Sequence, residues 1–162
     1  MTTNGSPDFT TLKLRPFISP GFGLVFHAPE TWHDAGDQDL FQVVDPATDA
    51  QFTASAYQNP GVSLRQWVDA RLAIVAQQMP FLSPVAAAYD LRGASWSSMA
   101  SEYRGCFPNN DFESHYLVLC LPTEQRVISF TITASTQVFA ENRALYLWLL
   151  QNKLELPNLL PV

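Results

Sequence analysis

The sequence has few basic residues, and those it has are scattered. Among its 162 residues are nine Lys and Arg against fifteen Asp and Glu, which gives a formal net charge of -6. Nucleic acids and anionic membrane surfaces are bound by clusters of Lys and Arg, and no such cluster is present. We therefore expect neither nucleic acid nor a membrane surface as the partner.

Long hydrophobic segments are also missing. No apolar run approaches the ~20 residues that are needed to cross a bilayer as a helix. The first residues, Met1–Pro7, are polar and contain no apolar stretch of the kind that forms the core of a secretory signal. The sequence therefore predicts a cytoplasmic protein that is not inserted in a membrane.

Only two cysteines are present, Cys106 and Cys120, which is too few for a disulfide scaffold in a domain of this size. Cys120 falls late in a predicted strand, which favours a buried residue that acts as a small hydrophobic group. Cys106 follows a glycine in a loop, where a more exposed thiol is expected. The sequence leaves open whether the two are bridged.

The spacings that mark metal sites and phosphate loops do not occur. There is no His-Glu-x-x-His, no Cys-x-x-Cys and no glycine-rich phosphate loop. His33, Asp34 and Asp37 are close enough in sequence for a weak metal site, but a solvated loop is the expected role of that segment. We therefore expect no metal and no cofactor.

One arrangement of catalytic residues can be drawn, although the Gly-x-Ser-x-Gly motif of many hydrolases is absent. Ser101 or Cys106 could act as the nucleophile, with His115 as its base. Asp111 or Glu113 could orient that base. Because nearness in sequence is not geometry, we expect a protein that is not an enzyme and keep a small hydrolase as the alternative.

The sequence does contain a strong strand pattern near its C-terminal end. Two apolar runs, Ser114–Leu121 and Arg126–Ala134, are joined by four residues. In the second run Ile128, Phe130 and Ile132 alternate with more polar residues, which is the period of a half-buried strand. So short a link predicts an antiparallel hairpin, which we place at the middle of a sheet.

Six further strands are predicted, separated by proline and by turn residues. Pro16 and the Ser19–Gly21 turn are expected to end the first of them. The predicted strands cover 11–15, 22–28, 40–44, 51–57, 84–91 and 96–103.

Two helices are predicted between and after these strands. Ser63 and Gln66 have the spacing of a capping box, and apolar residues follow at helical spacing as far as Met79. The second helix runs from about 138 to 150, with Thr136 as its cap. The residues predicted to face the sheet from it are Val138, Leu145, Trp148 and Leu149. Segregated helices and hairpin-linked strands predict an α+β domain around an antiparallel sheet.

Three stretches resemble the PsbP-like fold. They are Phe22–Trp32, the helix start Ser63–Val68, and the closing strand Val127–Ala134 with the helix that follows it. The resemblance implies an α/β/α sandwich, with a central antiparallel sheet flanked by two main helices. It implies one such domain over 11–157, between a flexible arm at 1–10 and a tail at 158–162. It also implies a binding role, since the members of this group bind rather than catalyse.

Aromatic residues near predicted turns are the candidate binding residues. Either they cap the core where the helices meet the sheet, or they form a recognition patch on the surface. They are Trp32, Trp96, Tyr103, Phe107 and Phe112.

The expected partner is a protein or peptide. One form is a bacterial chaperone or adaptor associated with secretion, which would hold an apolar helix of its client in a groove. The other is a self-associating homodimer, in which the tail Leu159–Val162 of one copy docks on another.

Overall fold

The structure is a computed structural model that describes residues 8–37 and 39–156. The predicted tail at 158–162 and the first seven residues of the predicted arm lie outside the described residues. Self-association through Leu159–Val162 therefore stays a prediction.

The described residues form eleven strands and two helices. In chain order they are β1 Leu14–Ser19, β2 Leu24–Pro29, β3 His33–Asp34, β4 Phe41–Val44, β5 Gln51–Gln58, α1 Leu64–Gln78, β6 Leu82–Pro84, β7 Tyr89–Arg92, β8 Ser97–Gly105, β9 Ser114–Pro122, β10 Arg126–Ser135, α2 Thr136–Lys153 and β11 Leu154–Glu155.

The strands form a large and a small antiparallel sheet. The large sheet has the order β3-β4-β5-β10-β9-β8-β6, and β7 pairs with β8 beside β6. The predicted hairpin is its centre, with Thr131 of β10 opposite Val118 of β9. The small sheet has the order β1-β2-β11. The predicted α+β fold, a central antiparallel sheet flanked by two main helices, is confirmed.

One face of the large sheet carries the main core. The side chains that β10 directs to this face, among them Phe130, are fully buried beneath α2 and the small sheet. The ring of Phe26 lies 5.5 Å from that of Phe52 and 5.3 Å from that of Phe130. Tyr146 of α2 meets the Phe52 ring edge-on at 5.3 Å. These aromatic contacts join the small sheet, the large sheet and α2 into one hydrophobic core.

The opposite face is covered only in part. Helix α1 lies over β6, β8 and β9, and Val68 is its one fully buried residue. Under it β8 is buried on both faces, from Ser98 to Tyr103. In β4 and β5 buried residues instead alternate with half-buried or exposed ones. Helix α1 reaches β5 near Tyr57, whose ring lies 5.9 Å from that of Trp67. In the described part of the chain no helix or strand covers the α1 side of β4 and of the first half of β5.

The start of α1 is fixed by its own residues. The Ser63 hydroxyl accepts a hydrogen bond from the Gln66 backbone N–H at 3.2 Å, and the Ser63 N–H donates to the Gln66 side chain at 3.1 Å. The predicted capping box is thus formed. It satisfies amide groups that the first turn of a helix leaves without partners.

Two strand predictions are wrong in detail. Strand β1 runs through Pro16 instead of ending there. Because β1 lies at the edge of the small sheet, it has no second neighbouring strand, and the missing N–H of Pro16 is tolerated on that open side. The segment 84–91 is not one strand but the end of β6 and most of β7, separated by Val85–Ala88. Its alanines are weak strand formers, which explains the interruption.

The second helix also differs from its prediction. Its N-cap is Ser135, whose hydroxyl accepts a hydrogen bond from the Val138 N–H at 3.2 Å, while the Thr136 hydroxyl donates to Glu113 at 2.8 Å. Of the four residues predicted to face the sheet, Leu149 is fully buried and the other three are half-buried. The buried residues of α2 are Phe139, Tyr146, Leu149 and Leu150.

This packing predicts unequal costs for two aromatic truncations. Phe52→Ala removes a ring that is 0% exposed at the centre of the aromatic core, and should lower the free energy of unfolding by about 3–5 kcal/mol. Trp148→Ala removes a half-buried ring that packs at a tilt against Phe9, with ring centroids 5.6 Å apart, and should cost less than about 2 kcal/mol. Urea denaturation of both variants measures the difference, and equal costs would contradict the placement of the core.

Candidate functional site

The structure does not bring the five candidate aromatic residues together as a surface patch. Trp32, Trp96 and Tyr103 are buried. Trp32 packs against Phe52 with ring centroids 4.8 Å apart, on the α2 side of the sheet. Trp96 lies so close to Gly93 that a Cβ at that glycine would be 2.3 Å from the indole. Trp32 and Trp96 are therefore core residues.

Phe107 and Phe112 remain near the surface. Phe107 is half-buried and contacts the rings of Phe81 at 4.7 Å and Tyr116 at 5.6 Å. Phe112 is 53% exposed. Both line one depression beside Tyr116, at the end of β10 where α2 begins. Their part in recognition stays a prediction.

The residues of the hydrolase alternative lie apart. The side chain of Ser101 faces the α1 side of the sheet, whereas His115 is buried on the α2 side with its ring 4.0 Å from that of Phe139. Cys106 is exposed, Cys120 is buried, and both are free thiols. Alternation along a strand places neighbouring side chains on opposite faces, which is why Ser101 and His115 do not meet.

Both ring nitrogens of His115 already have partners. Nδ1 lies 3.0 Å from Nε of Arg104, and Nε2 lies 2.8 Å from Oε1 of Glu102. Because the Arg104 Nε–H can only donate, Nδ1 accepts and the proton of the neutral ring is on Nε2. His115 therefore donates to Glu102, and no serine or cysteine of residues 8–37 and 39–156 is hydrogen-bonded to its ring.

Glu102 is the centre of this buried network, although its sequence context did not single it out. Its side chain is 7% exposed. Arg143 of α2 donates to both carboxylate oxygens, at 2.5 and 2.8 Å, and the Tyr89 hydroxyl donates to Oε2 at 2.6 Å. The bidentate contact fixes α2 against β8, while His115 and Tyr89 connect the same carboxylate to β9 and β7.

The charges of the network stabilise one another. Burial acts to raise the pKa of the Glu102 carboxyl, but the hydrogen bonds from Arg143, His115 and Tyr89 outweigh it and hold that pKa well below its usual value of 4.5. The pKa of Arg143 is raised by its hydrogen bond to Glu102. The pKa of Tyr89 is raised by burial and by its bond to the same carboxylate. Both nitrogens of His115 and both oxygens of Glu102 are engaged within the network, which indicates a structural role in holding β7, β8, β9 and α2 together.

A cavity lined largely by apolar side chains lies on the other side of the sheet. It has a volume of about 230 Å³ between α1 and the strands β5, β10, β9 and β8, and we call it the α1 cavity. Val75 and Met79 of α1, with Val118 of β9, contribute apolar surface. Tyr103 and Tyr116 contribute rings that carry hydroxyl groups. The α1 cavity is partly covered because α1 lies over this part of the sheet.

Arg71 is the one charged residue that lines the α1 cavity. Its guanidinium lies over the Tyr57 ring, 4.6 Å from the centroid, and its Nη2 is 3.4 Å from the Tyr57 hydroxyl. Among the described residues it forms no ion pair with a carboxylate. Burial raises the pKa of the Cys120 thiol in the same cavity to about 11, and the charge of Arg71 opposes that rise.

Beside the α1 cavity is the uncovered part of the sheet, which we call the open strip. Its residues are the exposed or half-buried side chains of β4, β5 and β10 on the α1 side: Gln42, Val44, Gln51, Thr53, Ser55, Thr131 and Thr133. None of them is charged. The residues that alternate with them, such as Phe52 and Ile132, are fully buried in the main core.

The described residues form neither a metal cluster nor a membrane-spanning helix. In residues 8–37 and 39–156 no group of three or more His, Cys, Asp or Glu is placed to hold a metal ion. Neither helix of that part of the chain has the length and hydropathy to cross a membrane. The features with the chemistry of a binding site are thus the open strip and the α1 cavity.

The Glu102 network predicts a stability difference that depends on pH. Glu102→Gln leaves Arg143 without its carboxylate, and at pH 7 should lower the free energy of unfolding by about 2 kcal/mol, less than for a fully buried pair because Arg143 is 41% exposed. A carboxyl whose folded pKa is depressed stabilises the fold above its unfolded pKa and loses that effect as pH falls through the folded value. The gap between wild type and variant should therefore narrow below about pH 4.5.

Urea denaturation at pH 7 and at pH 3 measures this gap. Glu124→Gln, at an exposed glutamate in the turn between β9 and β10, is the matched control and should change little at either pH. A gap that stays constant between the two pH values would contradict the depressed pKa of Glu102.

Comparison with known proteins gives no match by sequence and several matches by structure. No protein-family model matches the sequence, and a search of the curated proteins finds no match.

Several solved structures share its fold. Cyanobacterial PsbP (CyanoP) from Synechocystis superposes with a TM-score of 0.61 at 12% identity, over 94% of this chain and 98% of that one. The Ran-binding protein Mog1p from Saccharomyces cerevisiae gives 0.61 at 10% identity, over 90% and 96%. PA94 from Pseudomonas aeruginosa, a putative regulator, gives 0.56 at 13% identity, over 85% and 94%. The chain therefore has the PsbP-like fold, as the sequence resemblance predicted.

Proposed function

We propose that the protein is a non-catalytic binding module that holds a helix of a partner protein on the open strip, beside α1. The observation that carries the proposal is the unequal covering of the two sheet faces. On the α2 side Phe41, Val43, Phe52 and Ala54 are buried, whereas on the α1 side β4 and β5 remain half-buried or exposed.

The dimensions of the open strip fit one helix. Strands in a sheet lie about 4.8 Å apart, so β4, β5 and β10 together present a strip roughly 14 Å wide. A helix with its side chains is about 10–12 Å across. A partner helix laid beside α1 would complete the second helical layer of the α/β/α sandwich, in the way that layered folds bury a sheet face.

The chemistry of the open strip suits an amphipathic helix with an apolar face. The methyl groups of Thr53, Thr131 and Val44 can be buried by a partner, while the threonine hydroxyls can donate to its polar atoms. The strip has no charged residue although the chain carries a net charge of -6. Depletion of charge is typical of the core of protein interfaces.

One of the structural neighbours, Mog1p, is consistent with a protein partner. Mog1p is a Ran-binding protein, and PA94 is a putative regulator from a bacterium. At 10–13% identity they share a fold with this chain, so the identity of the partner does not carry over. The specific form we propose is a cytoplasmic bacterial chaperone or adaptor associated with secretion, which would shield an apolar helix of its client on the open strip.

Site-specific cross-linking in the cell that naturally makes the protein tests the proposal. A photoreactive amino acid at Ser55, an exposed position of the open strip, should give a discrete protein adduct that mass spectrometry identifies. The same amino acid at Ala144, exposed on α2, is the matched control and should not give that adduct. Thr53→Arg places a long charged side chain at the centre of the strip, and should remove the Ser55 adduct while Ala144→Arg leaves it.

The identified partner then allows a quantitative test. Thr53→Arg should weaken its binding to the purified protein by at least about tenfold, which corresponds to ~1.4 kcal/mol. The proposal is wrong if the adducts from Ser55 and Ala144 are the same, if Thr53→Arg leaves the Ser55 adduct in place, or if Ser55 cross-links mainly to nucleic acid.

A further inference from the structure

We propose that the α1 cavity binds a small amphipathic monocarboxylate, with its carboxylate on Arg71 and its apolar body between α1 and β9. This is a second site that adjoins the open strip and shares Ser55 and Thr131 with it, and it does not depend on the proposal of a partner helix. A helix on the strip would lie over β4, β5 and β10, whereas the ligand would lie beneath α1.

The charge of the α1 cavity defines the ligand as a monoanion. Arg71 is the one ionised side chain in the lining, it is half-buried, and it has no carboxylate partner in the described part of the chain. A guanidinium matches the two oxygens of a carboxylate in a planar, bidentate pair. A single cation does not balance a dianion such as phosphate, and a neutral apolar ligand would leave the guanidinium without an anion as it is desolvated.

The position of Arg71 directs its charge into the α1 cavity. The guanidinium is held over the Tyr57 ring at one side of the lining. Its charge opposes the effect of burial on the pKa of both Cys120 and Tyr103, which line the cavity from β9 and β8. Arg71 is part of the cavity lining itself, where a ligand headgroup can reach it.

The rest of the lining suits an apolar body. Val75 and Met79 project from α1, Leu82 from β6 and Val118 from β9. Contact with these side chains removes apolar ligand surface from water, which contributes about 25 cal/mol per Å². Ser101 and Ser129 supply buried hydroxyl groups on the sheet side of the cavity. These groups can rotate to accept or donate, so they tolerate a chain that carries a polar atom.

The volume limits the size of the ligand. A dry apolar cavity of about 150 Å³ holds one benzene ring. The α1 cavity, at about 230 Å³, has room for such a ring with a carboxylate attached, or for an acyl chain of about eight carbons. Octanoate is therefore the probe of choice, and octan-1-ol is its uncharged counterpart with the same chain.

Isothermal titration calorimetry of the full chain with octanoate and with octan-1-ol tests the proposal. The wild type should bind octanoate about tenfold more tightly than octan-1-ol, because one charge-assisted pair is added. Arg71→Met should lower the affinity for octanoate to that for octan-1-ol. Arg65→Met, the same change at an exposed position of the same helix, should have no effect.

A second variant tests the location of the ligand. Val75→Trp fills the α1 cavity and should weaken both probes by at least about tenfold, whereas Gln77→Trp, at an exposed position of α1, should leave them unchanged. Circular dichroism shows whether Val75→Trp is folded. If it is not, the affinities measured with Arg71→Met decide by themselves whether the carboxylate of the ligand pairs with Arg71.

The carboxylate bound by Arg71 could instead be the C-terminus of a peptide chain. A tripeptide ending in leucine, with its free C-terminus or as the amide, distinguishes that source. The proposal is overturned if octanoate does not bind at millimolar concentration, if it binds no better than octan-1-ol, if Arg71→Met leaves its affinity unchanged, or if only the free-acid peptide binds in an Arg71-dependent manner.

Discussion

The packing of aromatic rings against one face of the large sheet is the interaction on which the rest of the structure depends. Phe26 from the small sheet, Phe52 and Phe130 from the large sheet, and Tyr146 from α2 contact one another at centroid distances between 5.3 and 5.5 Å. Because three separate elements meet there, this core fixes the position of α2 and of the small sheet together. The Glu102–Arg143 pair then fixes α2 at the edge of the same face.

The opposite face of the large sheet buries far fewer residues, and this lighter packing suits the proposed binding role. Its core has four buried residues, Val68, Met99, Cys120 and Val127, and α1 is half-exposed along most of its apolar side. A helix with so few buried residues leaves both the α1 cavity beneath it and the open strip beside it. Surfaces of low local stability are commonly those that bind ligands, since the fold does not need them for its own core. With the proposed function, the residues that stabilise the fold and those that would bind a partner lie on opposite faces of one sheet.

Much of this architecture could be predicted from the sequence, because it depends on local patterns. The alternation of Val127–Ala134 gives the strand and its buried face, and Ser63 with Gln66 gives the start of α1. Alternation does not tell which helix covers which face, so the polar residues of β10 could not be recognised as part of an uncovered strip. Contacts that are distant in sequence could not be predicted either. Glu102 and Arg143 are 41 residues apart, and the burial of Trp32 depends on its packing with Phe52.

Native-state hydrogen exchange measures the unequal stability of the two faces directly, without a partner or a ligand. Amides of α2 and β10 should exchange only through openings whose free energy approaches that of global unfolding, because they belong to the main core. Amides of α1 should exchange through openings of clearly lower free energy, since Val68 is its one fully buried residue. Protection of α1 equal to that of α2 would contradict the assignment of stability to one face and binding to the other.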